Sequence, residues 1–294
     1  MSILEVSHTT VYRYRRPVRF GEHRAMFRPR DSHDLRILDT QLAVSPVASV
    51  RWVHDVFSNS ITVLAFEVES SELRLESRIR VAHYWPDEPE AIIDLAAEAY
   101  PFDYSADDLV DLGTSRERHY PDPDGTVAAW ADRFATPGVR TLDLLTAMTR
   151  TIRRELAYET RHEHGTRPPA ETLARGSGSC RDFALLLMEA ARSLGFGARF
   201  VSGYLYDPAL DGERSDVQGA GATHAWAQIY LPSAGWVELD PTNGIVGGHN
   251  LIRVAVARDP RQAVPVAGTF FGTRDDFLDL HVDVQVRRVG VLPR

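Results

Sequence analysis

The chain has 294 residues, 44% of them hydrophobic and 25% charged, with 33 basic against 41 acidic residues and a formal net charge of -8. That balance is typical of a soluble globular protein, and an acidic chain without a dense basic run is not expected to bind nucleic acid or a membrane surface. A single cysteine excludes an internal disulfide and a multi-cysteine zinc site, and no apolar run approaches the roughly 20 residues that span a bilayer. The N-terminus lacks the apolar segment of a secretory signal, so a reduced, cytoplasmic protein is expected.

In chain order, residues 1–88 read as a β-rich domain. Runs rich in β-branched residues recur at 35–44, 60–69 and 72–84, and the alternation of Leu73, Leu75, Ile79 and Val81 marks a half-buried strand. Arg28-Pro29-Arg30-Asp31 and Phe57-Ser58-Asn59 punctuate them as turns. Strands at this spacing suggest a small antiparallel sandwich or barrel. Residues 89–275 form a mixed core. Its first strong helix is predicted from Thr141, as N-cap, to about Tyr158, because Leu142, Leu145, Thr149, Ile152 and Leu156 recur at three- and four-residue steps.

A second helix is predicted from Cys180 to about Leu194, ended by Gly195 and Gly197. It is apolar over most of its surface and must lie inside. Strands are expected at 198–206, 224–231 and 235–240, with a loose Asp- and Gly-rich loop at 207–222 that could close over a cleft. Residues 276–294 alternate again and are expected to rejoin the first sheet. The overall class is α+β.

The chemistry concentrates at Gly178-Ser179-Cys180-Arg181-Asp182. Ser179 and Asp182 fit a capping box, which puts Cys180 at the first helical position. There the helix dipole favours thiolate over thiol, and the free N–H of Cys180 can help hold an oxyanion. Taken alone, a lone cysteine is a small buried hydrophobe. The pattern gains meaning from His224-Ala225-Trp226 and Glu238-Leu239-Asp240, which the turn at 232–235 folds into a hairpin. If Gln228 opposes Trp236, His224 lies opposite Asp240; a two-residue shift leaves the two as diagonal neighbours. A carboxylate beside the ring fixes its tautomer, as nucleophilic catalysis by a Cys–His pair requires. Trp226 and Trp236 are candidate substrate-binding walls, with burial in the core as the plainer role for each. His162, Glu163 and His164 form a short polar cluster without a further ligand set, so no metal and no cofactor is expected.

On these residues the chain resembles the transglutaminase-like superfamily, whose papain-like core carries Cys, His and Asp in this order. The matching stretches are Gly178–Phe183, His224-Ala225-Trp226 and Asp240-Pro241-Thr242-Asn243-Gly244. His8-Thr9-Thr10-Val11-Tyr12 and Arg28-Pro29-Arg30 resemble the N-terminal region of bacterial members. The resemblance implies a nucleophile at Cys180, a general base and acid at His224, and an orienting acid at Asp240. It further implies acyl transfer or hydrolysis on a protein or peptide amide, with cross-linking, protease and amidase chemistry all open. No evident calcium loop is present, and Ala174 stands where a papain-style glutamine would donate to the oxyanion. A non-catalytic peptide-binding module on the same fold is the alternative.

Overall fold

The computed structural model describes residues 2–84, 92–160, 165–212, 217–219, 221–248 and 250–291. The cluster at 162–164 and the prolines expected to close the first unit (Pro86 and Pro89) lie outside them.

One strand organises the N-terminal half. β1 (Ser2–Ala25) runs 24 residues and is the central strand of two differently directed sheet halves. From Ser2 to Arg13 it pairs antiparallel with β5 (Ser70–His83) on one side and with β14 (Phe277–Val291) on the other. From Arg19 to Ala25 it pairs instead with β4 (Ser60–Phe66) and β13 (Val266–Phe271). β2 (Leu35–Ser45) and β3 (Ala48–His54) extend the two outer edges. The change of partners falls at Arg15-Arg16-Pro17, three exposed residues, where proline has no N–H to give a ladder. The expected sandwich is therefore one curled seven-stranded sheet, because a single strand serves both halves.

The core begins with α1 (Ala106–Leu112), α2 (Thr126–Asp132) and α3 (Thr141–Glu155). α3 starts one residue earlier and also ends earlier than the sequence suggests. Arg140 takes the N-cap position, and Thr141, already helical, donates its hydroxyl to the Ala97 carbonyl at 2.6 Å. At the other end Leu156 turns extended, and β6 (Ala157–Tyr158) pairs in parallel with β7 (Ser177–Gly178), which follows α4 (Pro169–Arg175).

β7 leads directly into α5 (Cys180–Ser193). Most of α5 is buried, against β8 (Ala198–Leu205) and β9 (His224–Leu231) on one side and α2, α3 and α4 on the other. Each of its fully buried leucines contributes roughly 1.5–3 kcal/mol of transfer free energy, which fixes the helix and therefore its N-terminus. β10 (Gly235–Asp240), β11 (Ile245–Val246) and β12 (Leu251–Ala257) complete a five-stranded sheet in the order β11-β10-β9-β8-β12.

The two sheets share a core. Tyr204, Tyr206, Ile252 and Val254 pack with Leu4, Val6, Ile79 and Val81. Two polar devices lock this seam. The His8 ring meets the Tyr204 hydroxyl through Nδ1 at 2.9 Å and the Thr10 hydroxyl through Nε2 at 3.0 Å. Asn59 binds both backbone groups of Val256 in β12, at 2.7 and 2.8 Å.

Candidate functional site

Cys180 occupies the first turn of α5. Asp182 reaches back to accept from the Ser179 N–H and hydroxyl, both at 3.0 Å, and its other oxygen accepts from the Arg167 N–H at 2.6 Å. This arrangement pins the helix start. Gly178 packs closely there, since a Cβ would lie 3.0–3.2 Å from Asp182, Phe183 and Thr172. Arg181 points away: it lies half-buried over the Phe200 ring at 4.8 Å and donates to the Pro260 carbonyl at 2.8 Å. The thiol of Cys180 is largely buried, with the residue 8% exposed.

His224 and Asp240 meet at the open end of the β9–β10 hairpin, His224 Nε2 to Asp240 Oδ2 at 2.8 Å. Leu231 pairs with Gly235 across a three-residue loop in which Ser233 adopts a positive φ of 66°. The register is thus Tyr230 opposite Trp236 and Gln228 opposite Glu238. It differs by two residues from the Gln228–Trp236 pairing, which would have left a one-residue loop, and it makes His224 and Asp240 diagonal neighbours.

Asp240 is fully enclosed and fully hydrogen-bonded. Oδ1 accepts from the Thr242 N–H at 2.9 Å and the Asn243 N–H at 3.3 Å, and Oδ2 accepts from Asn243 Nδ2 at 2.7 Å as well as from the ring. Burial alone would push its carboxyl up. The His224 charge and these donors outweigh burial and hold it below the usual carboxylate range. For His224, burial opposes the charged ring, but the Asp240 carboxylate and the adjacent Cys180 raise its pKa to about 10.

Nδ1 of His224 is buried, and besides Asp240 the ring is coupled to the Cys180 side chain, whose hydrogen bonding and charge both favour the protonated ring.

Two residues join this site that sequence pattern did not single out for it. Asn243 was visible only as part of a motif; it braces Asp240 and also exchanges hydrogen bonds with Gln218, whose N–H donates to Asn243 Oδ1 at 2.8 Å. That contact docks part of the 207–222 loop over the histidine. Gly219, with φ at 89°, lies so close that a Cβ would come within 3.0 Å of His224 Nδ1 and 3.5 Å of the Tyr158 hydroxyl. Tyr158 is the second. Its position follows from the β6–β7 pairing, and its phenol is held protonated, up at about 12, by burial first and then by the charges of Cys180 and Asp240.

The tryptophans stand elsewhere. Trp226 has no exposed surface; its indole N–H donates to Glu238 and its ring stacks on His224 at 5.9 Å between centroids. It backs the histidine and presents no wall to a ligand. Trp236 lies on a separate cavity with the Arg199 guanidinium over its ring. No group of three or more potential metal ligands occurs among the described residues.

A helix that starts on a cysteine and packs against an antiparallel sheet carrying histidine and aspartate is the papain-like fold of cysteine enzymes. Comparison with known proteins names the branch. Residues 4–82 match the bacterial transglutaminase-like N-terminal region and residues 128–241 the transglutaminase-like superfamily. The chain belongs to the transglutaminase-like superfamily, in the form that carries the bacterial N-terminal region.

Among curated relatives, an uncharacterized protein of Mycobacterium leprae is 35% identical over 117 residues and one of Mycobacterium tuberculosis 36% over 120. Each alignment covers 39% of this chain, and it spans 39% and 38% of those relatives' own lengths. A crystal structure described as that of "a Putative Cysteine Protease" from Cytophaga hutchinsonii superposes with a TM-score of 0.71 at 20% identity, covering 99% of this chain and 93% of that one. At that identity the likeness speaks for the fold.

Proposed function

We propose that the chain is a thiol enzyme acting on glutamine side-chain or peptide amides through an acyl-thioester on Cys180. The observation that carries this reading is the buried His224, bound to Asp240 through Nε2 and coupled to the side chain of Cys180.

Cys180 as thiolate attacks the amide carbonyl and forms a carbon–sulfur bond, placing the negative charge on the oxygen. His224, as imidazolium, gives its proton to the departing ammonia or amine as the carbon–nitrogen bond breaks. The thioester is then attacked by an amine, giving an isopeptide bond, or by water, giving deamidation or proteolysis. In that step His224 takes the nucleophile's proton and Cys180 leaves as thiolate.

The oxyanion needs donors. The first is the Cys180 N–H, which has no intrahelical acceptor in the first turn. For the second, left open by Ala174, we assign the Tyr158 hydroxyl, which stays protonated and lies beside the Gly219–His224 contact. Tyr158→Phe is expected to lower kcat about 100-fold with KM nearly unchanged, because the bond it removes forms only as charge develops. An unchanged kcat would remove Tyr158 from this role.

The defining assay incubates the protein with a glutamine peptide and a fluorescent amine and reads amine incorporation together with ammonia release. Incorporation identifies amine transfer, and release without incorporation identifies hydrolysis. Absence of both, with peptide-bond cleavage also absent, contradicts the reading.

A further inference from the structure

A cavity of about 420 Å³ lies in the seam between the Arg30–Asp34 segment of the N-terminal half and the core sheet. Cys180 does not line it. One wall is Trp236 of β10, with the Arg199 guanidinium of β8 stacked 4.1 Å from its ring centroid. Arg253 of β12 and Arg30 bring two more guanidiniums, so three segments distant in sequence converge on one space.

The three are not equally satisfied. Arg253 is ion-paired to Glu238 and, at 3.3 Å, to Asp34. Arg199 donates through Nε to Gln228 Oε1 at 2.5 Å, and it forms no ion pair among the described residues. Arg30 donates to the Phe57 carbonyl at 3.2 Å and likewise has no carboxylate partner among the described residues. Asp31 also lines the cavity, with its carboxylate engaged by the Ile37 N–H. Burial pulls the Arg199 pKa down to about 10; Glu238 opposes this, and the like charges of Arg253 and Arg30 add to it. Arg199, partly enclosed and without an ion pair among the described residues, and Arg30 at the exposed rim leave two guanidinium forks that an anion entering the cavity would engage.

We propose that this cavity binds a small organic oxyanion. Its carboxylate or phosphate head would lie between Arg199 and Arg30, and a flat or aliphatic body against Trp236 and Phe57. A guanidinium presents a planar fork suited to either head. The volume falls in the range of about 300–1,000 Å³ that accommodates small molecules, and Val254 and Val256 add apolar lining that a bare ion would not need. The site lies behind the histidine: Glu238, which holds Arg253, also accepts from Trp226, and Trp226 stacks on His224. The inference stands apart from the acyl-transfer reading, since it involves no covalent step.

The test is calorimetric titration of the full chain with benzoate and with phenyl phosphate at constant ionic strength, with benzamide as the uncharged control. Saturable binding of an anion in the millimolar range or tighter, at least about tenfold weaker in Arg30→Gln, supports the site. Tighter binding of benzoate assigns the head as carboxylate, and tighter binding of phenyl phosphate assigns it as phosphate. Arg199→Gln should weaken binding similarly. Arg30 is exposed at the rim, so Arg30→Gln carries the test even where the more enclosed Arg199 variant fails to fold. Absence of saturable binding, equal binding of benzamide, or an unchanged affinity in Arg30→Gln overturns the proposal.

Discussion

Replacing Cys180 with alanine is expected to abolish amine incorporation and ammonia release together, lowering turnover by roughly 10⁴-fold or more. The covalent step has no substitute nucleophile, and groups that act as a unit fail together when the attacking atom is removed. The fold should persist. The substitution removes one sulfur from the first turn of α5, while the contacts that hold that turn run through Ser179, Asp182 and Arg167. An unchanged melting temperature with activity lost places the effect in chemistry. Activity retained in Cys180→Ala would mean that the cleft does not work through its thiol.

The second large effect concerns Asp240. Asp240→Asn should lower turnover by about 10⁴-fold, because the ring loses the acceptor that fixes its tautomer and supports its charge. The same substitution has a pH signature. His224 has its pKa raised to about 10 in the folded protein, against about 6.5 in an unfolded chain, so its stabilising contribution is complete below about pH 6.5 and disappears as pH rises toward 10. Asp240 has its pKa lowered, so its contribution is complete above about pH 4 and is lost as pH falls further. The gap in urea midpoint between the natural protein and Asp240→Asn should therefore be widest from about pH 4 to 6.5 and narrow toward pH 10. A gap that stays constant across that range would mean that the pair is not charged as described.

The sequence revealed those parts of the molecule whose logic is local. The capping pattern Ser179–Asp182 and the apolar run to Leu194 locate α5 to within a residue, since both depend on neighbours along the chain. The alternation in 224–231 and 235–240, with turn residues between, marks the hairpin with its observed ends. What was not legible depends on partners distant in sequence. β12 escaped because nearly all of Leu251–Ala257 is buried, which erases the two-residue period that marks a half-exposed strand. The early end of α3 reflects the pull of Ser177–Gly178 on Ala157–Tyr158, a pairing that helical periodicity does not encode.

The same limit applies to the site. Cys180, His224 and Asp240 stand in stretches with strong local signatures. Tyr158 sits at the end of a predicted helix and comes under the influence of the Cys180 charge only because that helix stops short. Trp226 and Trp236 alternate on one strand face with His224 and Asp240, which made them look like cleft walls. Strand alternation gives the face of a side chain but not what covers it, and Trp226 is covered completely. The Arg30 cavity shows the same point from the other side, because its guanidiniums come from three separate segments of the chain.

The presence of a single cysteine makes the most direct measurement simple, because every alkylated thiol is Cys180. The rate of iodoacetamide labelling at pH 6 should be high in the natural protein and should fall by about tenfold or more in His224→Ala, where no imidazolium remains to stabilise the thiolate. Equal, slow labelling of both proteins at pH 6 would show that sulfur and ring do not act as a pair, and the proposed chemistry would fall with that result.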